Sequence, residues 1–232
     1  MKLSNKILIG FFSVVFLYTI SVMLEVRLTG QYIIRNSDDT LENLIYESMP
    51  IDNPRYLILH SRQKFLRIEE STDPRLEIKS FDGGLLDRVI LKETRDTLEI
   101  GAFDFEEELS YAATLYINRG DQLQIEMNQA KVSLRHLNLS SLTVLQRGGY
   151  LSVNDSSVIS HLRISTTDDG LFETTDARID TIDLTAESSS IRLLKEPKVL
   201  KAVIKNASSL STQDVPYMLY ERDSTSTLRI FR

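Results

Sequence analysis

Residues 142–219 repeat themselves about every twenty residues. Leu142, Leu162, Ile182 and Ala202 align as one apolar column, and Val144, Ile164, Leu184 and Ile204 as a second, two positions on. Leu151, Leu171 and Ile191 make a third, and Ile159, Ile179, Val199 and Leu219 a fourth. Small or polar pairs recur between the strand-like pieces: Gly148-Gly149, Asp168-Asp169, Ser188-Ser189 and Ser208-Ser209. A short fixed period of this kind excludes most globular plans, because each unit is too small to close a core alone and must stack on its neighbours.

Within each unit the apolar residues stand two apart, as in Leu162/Ile164 and Ile182/Leu184, which is the alternation of a strand. Three such segments per period describe a coil with three short sides, with like residues ~4.8 Å apart in successive turns. The expected fold is therefore all-β, a single-stranded parallel β-helix of about twenty residues per turn. The rule for parallel crossovers makes it right-handed. An antiparallel sandwich with recurrent hairpins is the competing architecture, and four columns repeating in phase weigh against it. The repeat reaches back to Leu123, Ile125, Val132 and Leu134 and forward to a last strand at Thr227–Phe231. Roughly nine turns are expected in all, a rod on the order of 40 Å.

Before this body lie two other segments. Met1–Lys6 is basic, and Ile7–Leu24 runs without a charge, long enough to cross a bilayer at about 1.5 Å per residue. No small-x-small cleavage site follows, so residues 1–27 read as an uncleaved signal anchor. Lys2 and Lys6 precede the span, which places the N-terminus in the cytoplasm and the body outside. The expected location is the bacterial inner membrane, single-pass, with the body in the periplasm. Residues 28–54 read as a linker or cap, with a short helix over Thr40–Glu47 capped by Asn36-Ser37-Asp38-Asp39 and broken by Asp52-Asn53-Pro54. Residues 55–232 form the β-helical domain. In its first part, candidate strands at Tyr56–His60, Leu66/Ile68, Leu76/Ile78, Val89/Leu91 and Leu98/Ile100 recur less regularly and predict wider turns. Phe103, Phe105 and Glu106–Glu108 read as a solvated loop.

Charge and cysteine usage narrow the function. The net charge is −6, and Lys2, Lys6 and Arg27 against Glu25 leave −8 on everything after residue 27. An acidic body without a basic cluster argues against nucleic acid. The absence of cysteine removes disulfides, thiol catalysis and thiolate metal sites. His60, His136 and His161 fall at unrelated phases of the repeat, so no metal triad is expected. No nucleophile elbow or phosphate loop occurs, and no cofactor is indicated.

The order LRIEESTDPRLEIKSFD, RVILKETRDTLEI and then a long run of strand repeats resembles the head GIN domain family, envelope proteins of the Bacteroidota often called auto-transporter adhesin heads. Arg95-Asp96-Thr97-Leu98-Glu99-Ile100 is its most telling piece, and the resemblance spans about residues 55–231. It implies a β-helical body exposed outside the cytoplasmic membrane and carries over no active-site residue. The corners here are more acidic and poorer in Gly and Asn than is common in that family.

The expected function is thus a membrane-anchored, non-enzymatic envelope protein presenting a rigid β-helix to a protein or glycan. The alternative is a carbohydrate-active β-helix enzyme, since such folds use carboxylate pairs and Asp168, Asp169, Asp176, Asp180 and Asp183 lie close in sequence. Asp168-Asp169-Gly170 is either a Ca²⁺ corner or a tight turn. For an interaction surface the candidates are Phe172, expected to face outward between Ser152 and Arg192 and beside Tyr150, and Arg163, expected to stack on Asp183.

Overall fold

The computed structural model describes residues 44–60, 65–81, 83–101, 111–118 and 120–231. The chain divides into two units, Met1–Leu44 and Ile45–Arg232, and every strand named below belongs to the second. The apolar stretch 7–24, the Asn36–Asp39 cap and the Phe103–Glu108 loop lie outside the described residues. Among the described residues no helix is long and apolar enough to cross a membrane.

The strands in chain order are β1 (Ile45–Pro50), β2 (Tyr56–Leu59), β3 (Phe65–Glu70), β4 (Arg75–Ser80), β5 (Leu91–Thr94), β6 (Thr97–Ile100), β7 (Tyr111–Ile117), β8 (Gln122–Asn128), β9 (Lys131–Arg135) and β10 (Asn138–Arg147). They continue with β11 (Tyr150–Asn154), β12 (Val158–Thr167), β13 (Leu171–Thr174), β14 (Arg178–Glu187), β15 (Ser190–Leu193), β16 (Val199–Lys205), β17 (Ser209–Gln213), β18 (Tyr217–Arg222) and β19 (Thr227–Phe231). Even-numbered strands from β8 onward stack in one parallel sheet and odd-numbered ones from β9 in another. The result is a β-solenoid of six successive turns, from β8/β9 to β18/β19.

Two sheets form in place of the three sides expected, and the long strand β10 is bent. In β10 the buried positions change phase between Leu139 and Leu142, where the Ser140 and Ser141 amides both donate to the Asp121 carbonyl. Two residues opposing one is a bulge, and it bends the strand.

The shortfall from nine turns has a topological cause. The layer of β2 and β3 sits between that of β6 and β7 and that of β8 and β9, so the chain crosses over its own second layer before the regular stack begins. Residues 75–94 are not coils at all. β4 pairs antiparallel with β7 and is itself covered by antiparallel β1. β5 folds back on β6 as a hairpin through Arg95, whose φ is 36°. Ile45–Glu47, expected at the end of a short helix, is therefore strand: an open sheet edge offers backbone partners that a two-turn helix cannot match. Val89 precedes β5, following a 3₁₀ turn at Leu86–Arg88.

Inside, side chains stack in unbroken rows. One row runs Leu98, Leu57, Ile125, Val144, Ile164, Leu184, Ala202 and Tyr220. Facing it runs Ala113, Leu66, Val132, Leu151, Phe172, Ile191, Leu210 and Leu228. These rows correct the even period of twenty. Leu142 and Leu162 do stack on Ile182, but the next residue is Leu200, and Ala202 lies on Leu184. The corner before β15 and the Leu193–Lys198 connection are each one residue shorter than their counterparts in the preceding turn, so the repeat drops to eighteen there. Val199 accordingly pairs with Thr181, and Leu219 with Lys201.

Corners are made by left-handed backbone. Gly148-Gly149, Asp155-Ser156, Asp168-Asp169 and Asn206-Ala207 each place two consecutive residues at φ between 47° and 72°. At Gly149 a Cβ would fall on the Ala130 backbone, so this corner needs glycine for space as well as for φ.

Candidate functional site

Phe172 is not on the surface. It is fully buried, stacked between Leu151 and Ile191. The corner at Asp168-Asp169-Gly170 holds one residue more than Gly148-Gly149, so β13 enters one position out of phase, and the next corner is one residue shorter. A single-residue slip exchanges the two faces of a strand. Glu173 thereby takes the outward place between Ser152 and Arg192, and Leu171 leaves the interior row. The Tyr150 hydroxyl donates to the Glu173 carboxylate at 3.0 Å. Partial burial, reinforced by that bond, raises the Tyr150 pKa above its ordinary value.

Arg163 and Asp183 do meet, in a larger group than the sequence suggested. They pair in register on the outward face of β12 and β14. An Arg163 guanidinium nitrogen lies 4.0 Å from Asp183 Oδ2, His161 Nε2 lies 3.0 Å from the same oxygen, and Lys201 Nζ lies 3.8 Å from Oδ1. One half-buried carboxylate thus gathers two permanent cations and an imidazole from three successive turns. The cations themselves remain exposed, so each pair contributes little to stability and both heads stay open to an incoming acceptor. Lys201 escaped sequence reasoning because a period of twenty aligns it with Thr181; the two-residue deletion brings it beside Asp183. His161 was legible only as a diagonal neighbour, two residues along the adjacent strand.

This group borders a shallow groove of about 600 Å³ that runs along the same face toward the last turn. Beyond Arg163, Asp183 and Lys201, its walls include Val203, Leu219, Tyr220 and Glu221. Leu219 is 60% exposed and Tyr220 50%. The groove offers Arg and Lys heads beside the outward aliphatic side chains of Val203 and Leu219, a combination suited to anionic ligands with an apolar face.

The remaining acids serve structure. Asp168 and Asp169 make the left-handed corner, and the Asp169 amide donates to the Ser188 carbonyl. Asp180 is held below the ordinary carboxylate range chiefly by the Lys198 ammonium, 2.9 Å away. Asp223 is held far below it, first by the Asn206 amide at 2.7 Å and further by Ser226 and Thr225. Among the described residues no group of three or more His, Asp or Glu side chains is arranged to hold a metal ion.

No protein-family model matches this chain, and no curated protein does. Solved structures do. The chain is similar to a provisionally named adhesin from Bacteroides fragilis, at 12% identity and a TM-score of 0.56, over 81% of this chain and 97% of that one. It is likewise similar to a provisionally named adhesin from Parabacteroides distasonis, at 10% identity and a TM-score of 0.50, over 81% of this chain and 97% of that one. At such identities the likeness establishes the fold: a β-solenoid that accounts for nearly all of each of those chains.

Proposed function

We propose that this chain is a membrane-anchored, non-enzymatic cell-envelope protein of the head GIN type, whose rigid solenoid presents one face to a protein or glycan partner. The observation that carries the proposal is the groove along the outward face of β12, β14, β16 and β18, where Arg163 and Lys201 stand beside Val203 and Leu219. Parallel stacking holds these residues on one stiff surface, so binding would order little beyond the side chains themselves. The adhesin names of the solved neighbours support a binding role rather than a catalytic one. The uncharged stretch 7–24, preceded by Lys2 and Lys6, supports an anchor in the bacterial inner membrane with the body in the periplasm.

The test is in-cell photocrosslinking of the full-length anchored chain from position 165, in the groove, with captured proteins and glycans both identified. A specific adduct that disappears when Arg163 and Lys201 are both changed to Glu supports the groove as the contact face. No adduct, or an adduct indifferent to those changes, removes the groove from consideration. Release of reducing ends from envelope polysaccharide by the purified chain would replace the binding role with an enzymatic one.

A further inference from the structure

The interior rows end differently at the two ends of the stack. At the last turn, interior-phase Tyr220 and Ile230 are 50% and 48% exposed, and Met218 and Leu228 are only partly buried. Among the described residues neither β18 nor β19 has a strand on its outer edge. From these edges we propose that the β18/β19 end is a homodimer interface, on which a second copy of this chain stacks end to end about a two-fold axis.

A foreign strand could cover one of these edges. A second copy covers both at once and continues the apolar interior, which is why it is the occupant that fits. The two-fold makes each β18 antiparallel to its mate while keeping inward residues inward. With Leu219 on the axis, Leu219 meets Leu219, Met218 meets Tyr220 of the second copy, and the Tyr217 hydroxyl faces the Glu221 carboxylate of the second copy.

Charge points the same way. Everything after residue 27 carries −8, which opposes contact between most pairs of like surfaces, but residues 217–231 balance Glu221 and Asp223 against Arg222 and Arg229. The other end of the stack does not compete for the role. There β1 contains Pro50, which has no amide hydrogen, and Glu47 of β1 accepts hydrogen bonds from the Gly84 and Leu85 amides.

The chain contains no cysteine, so Leu219→Cys introduces a single thiol that meets its mate only across the proposed axis. Thr185→Cys, exposed on the same face two turns away, is the control for association through any other surface. With the full chain in detergent micelles, a short bismaleimide should convert Leu219→Cys to covalent dimer and leave Thr185→Cys monomeric. Sedimentation of the unmodified chain should give monomer and dimer alone, and Leu219→Asp should weaken dimerisation about tenfold or more by facing like charges. Equal crosslinking of the two cysteine variants overturns the proposal, as does a monomer at every soluble concentration. Mass rising in steps beyond the dimer overturns it as well, because only head-to-tail stacking propagates.

Discussion

The two ends of this solenoid solve the same problem in different ways. A stack of parallel strands leaves an unpaired strand edge and an open section of core at each end. At the first end, β4 and β1 lie antiparallel over β7, and β5 lies antiparallel over β6. Leu76 and Ile78 of β4 are fully buried against Leu115 and Ala113, and the interior row stops under them. At the last end the same rows finish in Tyr220, Arg222 and Ile230, and among the described residues no strand pairs with the outer edge. The closed end breaks the repeat to protect the core. The open end keeps the repeat in register and leaves its edges available.

The comparison is most sharply tested by placing a charge at equivalent interior positions. Ile182→Asp, in mid-stack, buries an unpaired carboxylate and should cost about 4 kcal/mol or more. Tyr220→Asp sits at an interior phase of the last turn and, in the monomer below the concentration at which it dimerises, should cost about 1 kcal/mol or less, because water reaches it. Thermal melting of both variants measures the difference; equal losses would mean that the last turn is as closed as the middle.

Truncation of apolar side chains should show the same asymmetry at smaller scale. Leu76→Ala opens a cavity beneath the antiparallel cover and should cost about 2–4 kcal/mol by urea titration. Ile230→Ala at the opposite end should cost about 1 kcal/mol or less. Both values hold for the monomer, below the concentration at which it dimerises; above it the loss at Ile230 should grow while that at Leu76 stays the same.

The smallest effect concerns the last corner alone. Asp223 accepts the Asn206, Thr225 and Ser226 amides, and its folded pKa is lowered. A lowered pKa gives stability that is fully present above the ordinary carboxylate range and is lost as pH falls through the lower folded value. Acid strong enough to protonate Asp223 should therefore loosen the β18–β19 corner. Amide exchange of Thr225 and Ser226 should accelerate selectively, and Asp223→Asn should reproduce that acceleration at neutral pH. Uniform acceleration along the whole stack would contradict a local role.

Of the candidate surface, Arg163 and Asp183 were legible because the period there is twenty and parallel stacking brings the same outward phase together. Phe172 was not, since one residue added at Asp168-Asp169-Gly170 and one removed at the following corner cancel within a turn. The average period therefore hid a reversal of β13. Lys201 was hidden for a related reason: the shortened connection before β16 changes which residue is its neighbour while keeping the alternation intact.

Composition and periodicity determined by themselves that this body is all-β, that its strands stack in parallel, and that corners fall at pairs such as Gly148-Gly149 and Asp168-Asp169. Those features depend on local backbone preference and on alternation two residues apart, both written into short stretches of chain. Only the tertiary structure decided where each corner gains or loses a residue, that the β6/β7 layer lies outside the β2/β3 layer, and that one end is closed while the other is not. Such choices are settled by contacts between residues far apart in sequence, since a strand takes whichever free edge completes the core and a periodic pattern does not say which edge that is.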